Sequence, residues 1–132
     1  MAELFQFELV SPEKLLISED VEMVVVPGSE GDFAILKGHA PVMSTLKPGV
    51  VEIQINDKEQ QRVFVRGGFA EAGPDSLTIL AEKAILMEDL DADTLAQEIQ
   101  NAEEDVNDAK SDEMQAKAQE QLDQLKQLQS SL

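Results

Sequence analysis

Every glycine, proline and phenylalanine of the chain lies at or before Pro74, and the residues beyond Asp75 are dominated by Ala, Leu, Gln, Glu, Asp and Lys. Glycine and proline punctuate short strands and interrupt helices, so this divide separates a strand-rich part from a helical one. The 132 residues suffice for one small domain with an appendage and exclude two large domains. The expected division is 1-85 followed by 86-132.

Within the first part, Phe5, Phe7 and Leu9 alternate with Gln6 and Glu8, the period of a strand with one wet face. Short apolar runs come next at residues 15–17, 21–26, 33–36 and 42–46, set between Gly, Pro and Ser breaks. Val51, Ile53 and Ile55 lead through Asn56-Asp57 into Val63, Phe64 and Val65, a hairpin pattern. Gly67-Gly68 reads as another break, and residues 69–72 and 77–80 flank a Gly73-Pro74-Asp75 turn. About ten short strands in this span predict a β-sandwich, in the form of a flattened barrel.

After Leu90 the apolar period changes to that of a helix. Leu95, Ile99, Ala102, Val106 and Ala109 form one stripe, with Asp91 placed to cap its start. Lys110-Ser111-Asp112 interrupts, with Asp112 or Ser111 as the next cap, before a second stripe of Met114, Ala118, Leu122, Leu125, Leu128 and Leu132. Two such helices with a short polar link predict an antiparallel hairpin, so the fold class is β + α. Its seam is thin, because much of the first stripe is alanine.

The formal charge of −17 disfavours nucleic acid and anionic membrane surfaces, which are bound through clustered Lys and Arg. Residues 86–132 hold 13 acids against 3 bases, a net −10, and include no arginine. With no cysteine, a disulfide, a thiolate metal site and a cysteine nucleophile are all excluded. The start, Met1-Ala2-Glu3, opens an alternating stretch without the basic and apolar regions of a signal peptide. No apolar run approaches the ~20 residues that span a bilayer.

Signals for chemistry are weak. Asp89, Asp91 and Asp93 have the spacing of the first calcium-loop ligands, but Thr94 replaces the turn glycine and Gln100 the bidentate glutamate. His39 lacks a second histidine or cysteine for a metal and a nearby nucleophile for catalysis, which favours a structural or interface role. Gly28 and Gly31 lack the following lysine and serine or threonine of a phosphate-binding loop. Glu30 and Asp32 lie on a glycine-flanked loop and, from charge alone, read as solubility devices. No catalytic residue, metal site or cofactor is expected.

The block Pro27-Gly28-Ser29-Glu30-Gly31-Asp32-Phe33, continuing to Gly38-His39-Ala40-Pro41 and Leu46-Lys47-Pro48-Gly49, is dense in fixed turns. Together with Ser11-Pro12-Glu13, Gly67-Gly68-Phe69 and Leu77-Thr78-Ile79-Leu80-Ala81, it resembles the epsilon-subunit family of F-type ATP synthases over essentially the whole chain. The resemblance implies a non-catalytic rotor subunit of the central stalk, coupling proton-driven rotation of the c-ring to ATP synthesis. Its implied partners are the gamma subunit and the c-ring, with transient contact to alpha and beta. Its implied location is the cytoplasmic face of the bacterial inner membrane, reached only through the ring. Glu30, Gly31 and Asp32 match the family's ring-facing loop, and Ser11, His39 and Pro41 its gamma-facing side.

Two departures matter. The family's hairpin brakes ATP hydrolysis with basic side chains against an acidic part of beta, whereas this hairpin is acidic, so at most weak inhibition is implied. Some relatives bind ATP through an apolar-Asp pair followed three residues later by Arg-Ala. Leu90 and Asp91 match the pair, but Thr94 and Leu95 stand in place of Arg and Ala, leaving Asp91 a remnant. The alternative reading, from composition alone, is a stand-alone adaptor whose acidic hairpin binds basic clients.

Overall fold

A computed structural model of the protein describes residues 3–131; Met1, Ala2 and the expected stripe residue Leu132 lie outside them. The chain forms two compact units, one running to Met87 and the other beginning at Glu88.

Eight strands build the first unit: β1 (Phe5–Val10), β2 (Leu15–Val21), β3 (Met23–Gly28), β4 (Gly31–Ile35), β5 (Val42–Thr45), β6 (Gly49–Gln54), β7 (Gln60–Ala72) and β8 (Ser76–Leu86). They pair in the order β2-β1-β8-β7-β6-β3-β4, with β5 added to β7. All pairs are antiparallel except β1 with β8. The first half of β7 pairs with β6 and its second half with β5, so this strand passes from one layer of the β-sandwich to the other. A bridge between Gly28 and Leu46 joins the β3–β4 hairpin to the end of β5, so β3, β6, β7 and β5 close on one another at that side.

Period-2 alternation fills the interior. Phe7, Leu9, Val24, Ile53, Val63 and Ile79 are all fully buried in one apolar core. At about 25 cal/mol per Å², each such side chain contributes roughly 1.5–3 kcal/mol, which offsets the ordering of the short strands.

Among the described residues the strand count is eight and not about ten, because Gly67-Gly68 bends β7 without ending it. Both residues hold positive φ, 75° and 104°, a region costly for residues with a Cβ. The ladder to β8 is interrupted at Gly67 and resumes at Gly68, opposite Ala81. A second difference lies in β2, which continues through Ser18, Glu19 and Asp20 to Val21. That strand sits at the end of the strand order and pairs only with β1, so polar residues are tolerated there and blunt the edge.

The second unit opens with a 3-10 turn at Met87–Asp89, followed by α1 (Ala92–Asp108) and α2 (Asp112–Ser131). The helices pack on each other through a link of three residues, which makes them a hairpin. Leu95, Ile99 and Ala102 of α1 and Leu122 and Leu125 of α2 are buried. Met114 is 56% exposed and Ala118 and Leu128 half-buried, so the second stripe is buried only toward its middle. Ser111, and not Asp112, caps α2, accepting the Met114 N–H at 3.1 Å.

Asp91 caps α1, its Oδ1 accepting the Thr94 N–H at 2.7 Å. That bond holds the Asp91 carboxyl below its ordinary value of 3.8. A depressed carboxylate pKa stabilises the fold above the unfolded value, and the contribution fades as pH falls through the lower, folded value. Far-UV circular dichroism of Asp91→Asn is therefore expected to lose part of the acid-side change in α1 while keeping its helicity near neutrality, because Asn caps without titrating. Asp91→Ala is expected to fray the first turn at both pH values.

No helix among the described residues is long and apolar enough to cross a membrane.

Candidate functional site

The β3–β4 hairpin turns through Ser29-Glu30, with Gly28 opposite Gly31 at its base. Gly28 is sterically required: a Cβ there would stand 2.7 Å from both the Gly31 carbonyl oxygen and the Phe33 ring. Gly31 has φ of 133°, which few residues with a side chain adopt. Glu30, Gly31 and Asp32 are thereby gathered on one exposed tip.

The tip is stitched to the segment after β5. The Ser29 N–H donates to the Thr45 carbonyl at 2.9 Å and the Lys47 N–H to the Pro27 carbonyl at 3.0 Å. The Ser29 and Thr45 hydroxyls bond to each other. Lys47 Nζ lies 3.0 Å from Asp32 Oδ1, so one of the two tip carboxylates is already paired.

Ser11 occupies the β1–β2 turn, where its N–H donates to the Lys14 carbonyl at 2.9 Å. His39 lies in the β4–β5 loop, its N–H on the Leu36 carbonyl at 3.2 Å and its Nδ1 on the Ala40 carbonyl at 2.6 Å. A carbonyl only accepts, so Nδ1 carries a proton and the ring braces its own loop. Gly38, with φ of 86°, anchors that loop by donating to the Pro74 carbonyl at 2.6 Å. Pro41 comes next, exposed, immediately before β5.

Strand register shows which of these residues lie together. Val10, next to Ser11, is level with Leu80, which is level with Phe69, which is level with Thr45 at the far end of β5. Ser11 is thus at the same end of the sandwich as the 29–32 tip. His39 and Pro41 lie at the other end, beside the Gly73–Asp75 turn, about 15 Å along the strands. The structure does not bring Ser11 together with His39 and Pro41; they bracket one face of one sheet layer.

One row of that face, at the Ser11 end, is apolar, whereas the next row toward His39 runs Met43, Glu71, Thr78 and Glu8 and is largely polar. The apolar row runs Thr45, Phe69, Leu80, Val10 and Leu15 across β5, β7, β8, β1 and β2. Leu80 is 39% exposed, Leu15 53% and Met43, two residues along β5 from Thr45, 65%. An outward row of large apolar side chains on one sheet layer marks an interaction surface. Sequence reasoning missed it, as it missed Lys47. The available signal was the run Leu77, Ile79 and Leu80, in which apolar residues fall on both parities, so one of them must point away from the core.

In the second unit, the Asp91 carboxylate is committed to capping α1, and Leu95 is 1% exposed. Among the described residues no group of three His, Cys, Asp or Glu side chains is placed to hold a metal ion.

Residues 4–87 match the family described as ATP synthase, Delta/Epsilon chain, beta-sandwich domain. The ATP synthase epsilon chain of Parvibaculum lavamentivorans is 56% identical over 128 residues, covering 97% of both chains. That of Mesorhizobium japonicum is 49% identical over 132 residues, covering 100% of this chain and 98% of its own. Among solved structures, a chain of the Euglena gracilis mitochondrial ATP synthase superposes with a TM-score of 0.74 at 20% identity, over 97% of this chain and 81% of that one. At that identity the likeness is one of fold.

Proposed function

The chain belongs to the ATP synthase epsilon-chain family, and from that premise we propose that it is a rotor subunit of the central stalk, coupling c-ring rotation to ATP synthesis without a catalytic role. The observation that carries the proposal is the apolar outer row of Leu15, Val10, Leu80 and Phe69 beside Ser11, on the face that reaches His39 and Pro41 at its other end. A gamma subunit covering this face would bury the row. The exposed tip of Glu30, Gly31 and Asp32, at the Ser11 end, would meet the c-ring. The shaft contact would then centre on an apolar row and the ring contact on an exposed carboxylate-bearing tip.

The hairpin, with a net charge of −10 from 13 acids and 3 bases, is repelled by an acidic surface and acts as at most a weak brake on hydrolysis. Thr94 and Leu95 supply no cation to a triphosphate beside Asp91, so ATP is bound weakly or not at all. The subunit resides at the cytoplasmic face of the bacterial inner membrane, held there by the ring, and touches alpha and beta transiently.

Tagged chain purified from its own cell in mild detergent is expected to bring gamma, the c-ring, alpha and beta at stoichiometric yield. Recovery of diverse basic proteins without them would overturn the proposal in favour of an adaptor that works through its acidic hairpin.

A further inference from the structure

The segment after β5 is preset to deliver a cation to the hairpin tip. The Gly28–Leu46 bridge and the Lys47 N–H on the Pro27 carbonyl fix the Lys47 backbone against the base of the hairpin. Pro48 is buried and locks the torsion that comes after Lys47. At Gly49 a Cβ would stand 3.0 Å from the Pro27 Cβ, so the absence of a side chain lets the two segments close. Lys47 is consequently aimed, and its ammonium reaches Asp32 at 3.0 Å. Across the tip, Glu30 is exposed with no ion pair to any described residue.

We propose that Lys47 is a positioning residue: its pairing with Asp32 holds the tip at residues 29–32 in the shape presented to the partner and leaves Glu30 as the carboxylate that the partner meets. Two carboxylates two residues apart repel each other, and a fixed ammonium on one of them removes that repulsion and ties the tip to the β5 side. With side chains 31% and 60% exposed, the pair is solvent-screened, so its effect on tip opening is modest, about two- to fivefold. The role assigned to Glu30 rests on the reading of this tip as a rotor contact; the positioning of the tip does not.

Amide hydrogen exchange of the full chain separates the two, read at the Ser29 N–H that donates to Thr45 and the Lys47 N–H that donates to Pro27. At low salt, Lys47→Met is expected to speed exchange at both by about two- to fivefold, while Lys47→Arg stays at the wild-type rate. The swapped pair, Asp32→Lys with Lys47→Asp, is expected to recover most of the protection. In about 1 M NaCl the gap between wild type and Lys47→Met should narrow, because the screening length falls to ~3 Å, comparable with the separation of the pair. Equal rates at low salt would overturn the proposal. So would a faster Lys47→Met that neither high salt nor the swap corrects, since the loss would then come from the lysine stem. Failure of the wild-type chain to recover rotor subunits would sink the rotor reading and leave the exchange rates as they are.

Discussion

Gly68→Ala is expected to destabilise the β-sandwich unit by about 2–5 kcal/mol, against the roughly 5–15 kcal/mol that holds an ordinary domain together. Two costs add. The residue holds φ of 104°, a region that costs an L-residue roughly 1–2 kcal/mol. Its Cβ would also run into the Leu80 carbonyl oxygen and the Ala81 Cα, which are backbone of the adjacent strand and yield only if β7 and β8 part. Overpacking of that kind costs about 1–3 kcal/mol, before any ladder bond is lost. The Gly68 carbonyl also accepts the Leu46 N–H at 3.0 Å, so displacement spreads to the segment that carries Lys47. Gly73→Ala is the control, since a Cβ there meets nothing within 4 Å and φ is not positive. Urea unfolding should place the Gly73→Ala midpoint at or slightly above wild type and the Gly68→Ala midpoint far below it. Coincident midpoints for Gly68→Ala and wild type would refute the account of the bend.

How much the sequence reveals depends on the range of the interaction involved. The alternation of Phe5, Phe7 and Leu9 with polar residues reports burial directly, because neighbours in sequence take opposite faces of a strand. The stripe of Leu95, Ile99 and Ala102 is equally local, and so is the Asp91 cap. What stays hidden is pairing. Nothing near Phe7 announces that its neighbour is Leu77, in parallel, because that contact is made by the whole sheet. Gly67-Gly68 is visible as a point of special torsion, but whether such a point ends a strand or bends it is decided by β8 lying alongside. Similarly, Glu30, Gly31 and Asp32 stand out as an exposed glycine-flanked loop. That Asp32 is paired with Lys47 depends on a bridge between Gly28 and Leu46, eighteen residues apart.

The second large effect concerns the outer row, and it separates binding from folding. Leu80 sits on β8 between Phe69 and Val10 at the middle of the row, and its side chain is 39% exposed in the chain by itself. Leu80→Asp therefore removes little from the core and costs folding no more than about 1 kcal/mol, the span of strand preference. At an interface the same change places an unpaired carboxylate against apolar surface and deletes an anchor. Such central positions cost about 2 kcal/mol or more, which is roughly a 30-fold loss of affinity. Titration with the gamma subunit, the partner proposed for this face, should show that loss while the unfolding midpoint barely moves. Met114→Asp is the matched control: it is 56% exposed and apolar, but lies on α2 and off the row, so affinity for gamma should stay within about twofold of wild type. If Leu80→Asp binds gamma as tightly as wild type does, the row faces solvent in the assembly and the shaft must be held elsewhere. Loss of binding in the Leu80 variant alone would assign this layer of the sandwich to the shaft and leave the charged tip at residues 29–32 for the ring.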